Sequence, residues 1–243
     1  MSAARNELYA RRQDQGSRRF QCDATAVRTR GGVRSYALLD GIGDTALVRE
    51  WTRENTRFLA EGGIEHGEAY GALRALSAVC AVEARRPGAA EVGAVAVLAV
   101  VVPGKPVTIA WCGDARAYHQ PAGGREPVLL TQDHNLRQQA LDAGRRDVPD
   151  DWRHVVYSHL ADTGDDPAIG QAALPTGSGG RLLLASDGAY ECFHDYGQEA
   201  VLADVLQEIT PARAVRRMLD FTAQWARSYA DNATALIADL PGP

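Results

Sequence analysis

The 243-residue chain carries a formal net charge of -5, with 45% apolar and 23% charged residues, the balance of a soluble globular protein long enough to bury a core without disulfides. That charge excludes a protein built chiefly to grip nucleic acid, although Arg5, Arg11, Arg12, Arg18 and Arg19 make the N-terminus locally basic. The longest apolar run, residues 92 to 103, is too short to span a bilayer, no signal-type segment opens the chain, and the four cysteines lack paired spacing, so a cytoplasmic protein with reduced thiols is expected.

Residues 1 to 17 are polar and irregular and read as a loose arm, and 18 to 243 read as one domain. Two β-rich runs around the Gly31-Gly32 turn predict a hairpin whose second strand ends at Asp40. From Asp44 the period changes: Leu47, Val48, Trp51 and Phe58 share a helical face that Asp44 or Thr45 caps and Gly62-Gly63 ends. A second helix places Tyr70, Leu73, Leu76, Val79 and Cys80 inward and stops at Arg85-Arg86-Pro87-Gly88.

Residues 92 to 102 and 107 to 112 predict another hairpin, and its second strand runs into Gly113-Asp114 before an extended pattern resumes at Ala115. Leu136 to Leu141 reads as a short helix, and 145 to 180, rich in Asp, Gly and Pro, as a functional loop or flap. A strand from Arg181 to Ala185 leads into Ser186-Asp187-Gly188. Two helices follow, around Val201 to Leu206 and from Thr210-Pro211 to Trp225, and Asp231-Asn232 opens a last strand to Leu240.

Asp40, Asp114, Asp187 and Asp231 thus stand at strand ends, three of them beside glycine. Each alone reads as a turn residue. If the ends converge, the carboxylates repel one another unless a cation neutralises them, and hard oxygen ligands on separate loops suit Mg²⁺ or Mn²⁺ rather than zinc. His134 has no second histidine at metal spacing, and Gly177 to Gly180 lack the Gly-Lys-Ser/Thr of a phosphate loop.

In order, Arg18-Arg19-Phe20-Gln21-Cys22-Asp23, Leu39-Asp40-Gly41-Ile42-Gly43, Gly113-Asp114-Ala115-Arg116, Leu184-Ala185-Ser186-Asp187-Gly188 and Asp231-Asn232-Ala233-Thr234 resemble the motif series of the metal-dependent serine/threonine protein phosphatases of type 2C, in their bacterial branch. The resemblance implies an α+β, four-layer α-β-β-α sandwich, two packed antiparallel sheets flanked by helix pairs. It implies hydrolysis of phosphoserine and phosphothreonine in proteins by a metal-activated water, on two or three Mg²⁺ or Mn²⁺ ions. Asp40 would bridge two ions, with the Gly41 carbonyl on the second; Asp187 and Asp231 would hold the first; Asp23 would orient metal-bound waters; Arg18 would bind phosphate; Asp114 with Glu191 would match a weaker third site.

Cys22 stands where the family usually has glutamate, which implies a weakened second ion, and Ile42 replaces the histidine of the eukaryotic branch, as in many bacterial members. The expected partner is a phosphoprotein, a Ser/Thr kinase or its target, and the expected state a monomer, with no role for nucleic acid or membrane. The alternative is a catalytically weak or inactive phosphatase-fold protein that binds a phosphoprotein partner. A hydrolase for small phosphoesters is a third reading.

Overall fold

The computed structural model describes residues 8 to 164, 167 to 225 and 230 to 242. Its strands are β1 (Tyr9–Asp14), β2 (Ala24–Arg30), β3 (Val33–Gly41), β4 (Ala94–Val101), β5 (Val107–Cys112), β6 (Arg116–Gln120), β7 (Val128–Leu129), β8 (Gly170–Leu174), β9 (Arg181–Ala185) and β10 (Ala233–Asp239). Its helices are α1 (Ala46–His66), α2 (Ala69–Ala84), α3 (Leu136–Asp142), α4 (Asp187–Asp195), α5 (Glu199–Leu206) and α6 (Pro211–Trp225). Among the described residues no helix is long and apolar enough to cross a membrane.

The strands form two antiparallel five-stranded sheets, ordered β1-β10-β9-β6-β7 and β2-β3-β4-β5-β8. Side chains alternate faces along a strand, so each sheet buries two sets. Tyr36, Leu38, Val97, Leu182, Leu184 and Leu236 fill the layer between the sheets. The alternate residues Leu39, Ala96 and Leu98 pack with Leu59 and Leu73 of α1 and α2, while Leu183, Ala235 and Ile237 pack with Phe193, Leu202 and Met218 of α4, α5 and α6. Coverage on both faces is why these strands read as nearly continuous apolar runs. The expected four-layer sandwich is the architecture observed, with three helices rather than a pair on one side.

Several local expectations change. Residues 9 to 14 are not an irregular arm: they form edge strand β1, paired along its length with β10. Residues 1 to 7 lie outside the described residues. Helix α1 does not end at Gly62-Gly63 but runs on to His66 and its cap Gly67. Gly63 sits where α1 crosses the sheet so closely that a Cβ would lie 2.3 Å from Ser35 Oγ. Leu47, Phe58 and Val79, expected inward, are exposed, and Trp225 is partly so, stacked on Phe221 and Tyr196. The span from 145 to 180 is not all loop: it contains a 3-10 turn at Asp150–His154 and strand β8, which pairs with β5 and completes the second sheet.

The register sets up the site. Asp40 lies opposite Val95 at the end of β3, Ala24 at the start of β2 opposite Leu39, and Ala185 at the end of β9 opposite both Ala235 and Arg116. The ends of β3 and β9 and the starts of β2, β6 and β10 therefore share one end of the sandwich.

Candidate active site

Asp40 is the hub of that end. Its carboxyl lies within hydrogen-bonding reach of those of Asp23 and Asp187, and it feels the charges of Asp114 and Asp231 as well. The next residue must be glycine: a Cβ on Gly41 would meet Cys22 O at 2.6 Å, Thr52 Oγ1 at 2.7 Å and Val48 Cγ1 at 2.9 Å. Asp187 is the first residue of α4, where a carboxylate faces the positive end of the helix and accepts the Gly188 N–H at 2.6 Å.

Asp23 is 2% exposed. Ser186 Oγ donates to its Oδ2 at 2.9 Å, while its Oδ1 is buried with no hydrogen-bond partner, an acceptor that a cation or a water on a cation would satisfy. Asp114 is held through its backbone. Tyr190 donates its hydroxyl to the Asp114 carbonyl at 2.9 Å, and the Arg116 guanidinium lies over the Tyr190 ring, itself gripped by Asp133 at 2.9 and 2.8 Å.

Arg18 reaches Asp231 in an ion pair. Its segment is clamped from two sides. Asp44 accepts the backbone N–H groups of Arg19 and Phe20 at 2.9 and 2.7 Å, and Asn232 donates to the Gln15 and Phe20 carbonyls and accepts the Cys22 N–H. Thr45, not Asp44, caps α1, which leaves Asp44 for this work. Glu191, one helical turn beyond Asp187, stands near Asp114 and also near Arg153 Nε (3.4 Å) and His154 Nδ1 (3.8 Å). Donor atoms of His154, Asp187 and Glu191 lie within 4.8 Å of one another.

The structure therefore brings together every carboxylate named from the sequence, with Arg18 and Gly41 beside them. His134 is apart, stacked on Tyr157 with the Trp111 ring tilted against it. The sequence reading missed roles for Asn232 and Arg116, although both stand inside its motifs, and for Tyr190, Arg153 and His154, which no motif or spacing marks. Cys22 is buried and its Sγ lies 3.7 Å from the Thr45 carbonyl, and burial raises its pKa, so it is a neutral thiol rather than a reactive one.

Burial and mutual repulsion push the acids up. Asp23 rises to about 7, by burial and the charge of Asp187, and Glu191 to about 8 on the same causes. Asp40 and Asp114 stand well above the usual carboxylate range and Asp187 is raised, each chiefly by burial. Groups whose folded pKa is raised favour the fold below their unfolded values near 4 and weaken it as pH climbs through the folded ones. Metal-free protein should thus melt lower at about pH 8 than at about pH 5, and excess Mn²⁺ should raise the melting temperature more at the higher pH, where fewer protons compete. Thermal denaturation with and without chelator checks this; an equal Mn²⁺ effect at both values would contradict the cluster as a cation site.

No family model matches the sequence, and no curated protein matches it. Solved structures do match. Stp1, a serine/threonine phosphatase of Staphylococcus aureus, is 19% identical with a TM-score of 0.76, covering 96% of this chain and 95% of that one. The Mycobacterium tuberculosis serine/threonine phosphatase PstP/Ppp is 23% identical with a TM-score of 0.73, covering 96% and 98%. The catalytic domain of the serine/threonine protein phosphatase PstP in complex with two manganese ions is 23% identical with a TM-score of 0.70, covering 96% and 97%. Over nearly its whole length, this chain has the fold of the bacterial metal-dependent serine/threonine phosphatases.

Proposed function

We propose that this chain is a Mg²⁺- or Mn²⁺-dependent phosphomonoesterase acting on phosphoserine and phosphothreonine in proteins. The observation that carries the reading is the convergence of Asp23, Asp40, Asp187 and Asp231, from four separate strand ends, at one end of a fold shared with metal-dependent phosphatases. An all-carboxylate donor set with an orphaned buried oxygen on Asp23 fits hard divalent ions, and a neighbour of the same fold holds two manganese ions.

In this reading Asp40 and the Gly41 carbonyl would span two ions, Asp187 and Asp231 would hold the first, Asp23 would orient water from behind, and Asp114 with Glu191 would take a third, beside His154. Bound ions would supply a water acidified enough to attack and charge to balance an in-line displacement at phosphorus. Cys22, a neutral thiol turned to the Thr45 carbonyl, takes the place of a hard ligand that would strengthen the second site, so that ion would be the weaker.

The chain's own contribution is positional. Arg18, on a segment pinned by Asp44 and Asn232, presents a planar fork that suits two phosphate oxygens, and it exchanges its Asp231 partner for them as substrate arrives. Arg116 and Tyr190 fix the Asp114 backbone, so that carboxylate does not swing with its loop. The substrate is a phosphoprotein of a Ser/Thr kinase pathway, the kinase or its target, acted on by a cytoplasmic monomer.

Hydrolysis of p-nitrophenyl phosphate and of a phosphothreonine peptide should rise from near zero with added Mn²⁺ and stop on chelation. Turnover indifferent to chelator would remove the metal reading. Cys22 favours one second reading, a phosphoprotein-binding relative with little catalysis; phosphopeptide binding without turnover at any Mn²⁺ concentration would select it.

A further inference from the structure

Strands β1 and β2 are edge strands of opposite sheets, and with α1 they border an open polar cleft of about 420 Å³. Five arginines line it: Arg11 and Arg12 from β1, Arg28 from β2, and Arg53 and Arg57 from α1, with Asp23 at the start of β2. Two of the five have acidic partners, Arg12 with Asp220 and Arg28 with Glu61. Among the described residues, the Arg11 side chain donates only to the Thr25 carbonyl and hydroxyl. Arg53 and Arg57 are exposed and, among the described residues, their side chains make no hydrogen bond or ion pair.

Arg53 and Arg57 are four residues apart on α1, a spacing that sets like charges side by side. On a chain of net charge -5, Arg11, Arg53 and Arg57, with no ion pair among the described residues, make the lining of one cleft locally positive. The cleft ends beside the acid cluster, because Asp23, a buried member of that cluster, is among its lining residues. From Asp23 to Arg28, β2 extends about 17 Å, the length of roughly five residues of extended peptide.

We propose that this cleft is a docking groove for the substrate segment adjoining the phosphorylated residue, and that it selects segments carrying further negative charge, carboxylate or phosphate, within about five residues of it. The proposal rests on the phosphatase reading and names its substrate class. A cleft of about 420 Å³ between two sheet edges suits one extended chain, whereas a bilayer or a nucleic-acid duplex needs a broad basic face that a net-acidic chain does not offer. Guanidinium forks grip carboxylate and phosphate alike, so both kinds of charged segment belong to one class.

The test compares matched phosphothreonine peptides with neutral flanks, with Asp and Glu flanks, and with a second phosphothreonine, using p-nitrophenyl phosphate as the reference. Charged flanks should raise kcat/KM about tenfold through KM, with the gain shrinking as salt is added. Arg53→Ala/Arg57→Ala should erase that gain and leave the neutral peptide and p-nitrophenyl phosphate within about twofold, while Arg53→Lys/Arg57→Lys keeps part of it.

Equal kcat/KM for all peptides, or a variant that lowers every substrate equally, would overturn the groove. If wild-type protein turns over nothing, the phosphatase reading fails separately. Fluorescence anisotropy of the same peptides then decides the groove, and binding without preference for charged flanks overturns it. Phosphatidylserine vesicles or an RNA oligomer bound more tightly than the charged peptides, and released by Arg53→Ala/Arg57→Ala, would also overturn it.

Discussion

Asp40→Asn is expected to lower phosphate-ester hydrolysis by about 10³-fold or more while raising the melting temperature of the metal-free protein. The two effects share one cause. Asp40 sits among Asp23, Asp187, Asp114 and Asp231, and burial with their charges holds its carboxyl well above the usual carboxylate range. An amide there keeps the shape and some hydrogen bonds but removes a charge that the empty cluster must otherwise protonate or repel. The fold relaxes. The same amide is a poor ligand for two cations at once, and removing even an outer partner of a metal ligand costs about 10- to 100-fold, so if Asp40 is the proposed shared ligand its loss should cost more. A merely structural aspartate gives the opposite signature, a lower melting temperature. Activity assays beside thermal melts in chelator decide the matter: turnover within tenfold of wild type, or a fall in stability, would remove Asp40 from the centre of the site. The rise should grow with pH, since burial and its acidic neighbours raise the carboxyl it replaces, and that group becomes a charge only as pH climbs through its raised folded value.

Much of this site was legible because its chemistry lies at strand ends. Asp40, Asp187 and Asp231 each border an apolar run, and strands buried on both faces are easy to find. What stayed hidden was of two kinds. Strand β1, Tyr-Ala-Arg-Arg-Gln-Asp, and strand β8, Gly-Gln-Ala-Ala-Leu, are edge strands, one polar and the other small, and they exist because β10 and β5 offer unpaired backbone groups. Helix α4 begins at Asp187-Gly188, where the glycine reads as a turn; its short buried face of Ala189, Tyr190 and Phe193 gives too little periodicity to outvote that signal. Missing α4 also hid Tyr190, whose hydroxyl holds the Asp114 backbone, and the nearness of Glu191 to His154. Leu47, Phe58 and Val79 failed in the other direction, because a wide apolar stripe does not say which of its margins reaches the sheet.

A large effect on stability should come from a glycine that joins a positive φ to a crowded neighbour. Gly113, between β5 and Asp114, has φ +86, and a Cβ there would lie 2.1 Å from Val95 Cγ1, 2.3 Å from Val95 Cβ and 3.2 Å from the Ser158 carbonyl. Gly113→Ala therefore incurs two costs. The backbone strain of an L residue at positive φ is about 1 to 3 kcal/mol, and displacing a β-branched side chain of β4 in a close-packed core adds about 1 to 3 more. Together they predict a fall in melting temperature of about 5 to 20 °C at this chain length. Gly104, in the turn between β4 and β5, separates the costs, because its φ is +72 but nothing lies within 4 Å of its would-be Cβ. Gly104→Ala should show the strain alone, and Val95→Gly, which removes both the Cγ1 and the Cβ contact, should return part of the loss in the Gly113→Ala background. Equal destabilisation by Gly113→Ala and Gly104→Ala would mean that Val95 yields freely. A steric origin also predicts a catalytic effect out of proportion to stability. The Gly113 carbonyl accepts the His134 N–H at 2.9 Å and the chain then turns directly into Asp114, so a shift that relieves Val95 moves that carboxylate away from Asp187 and Glu191.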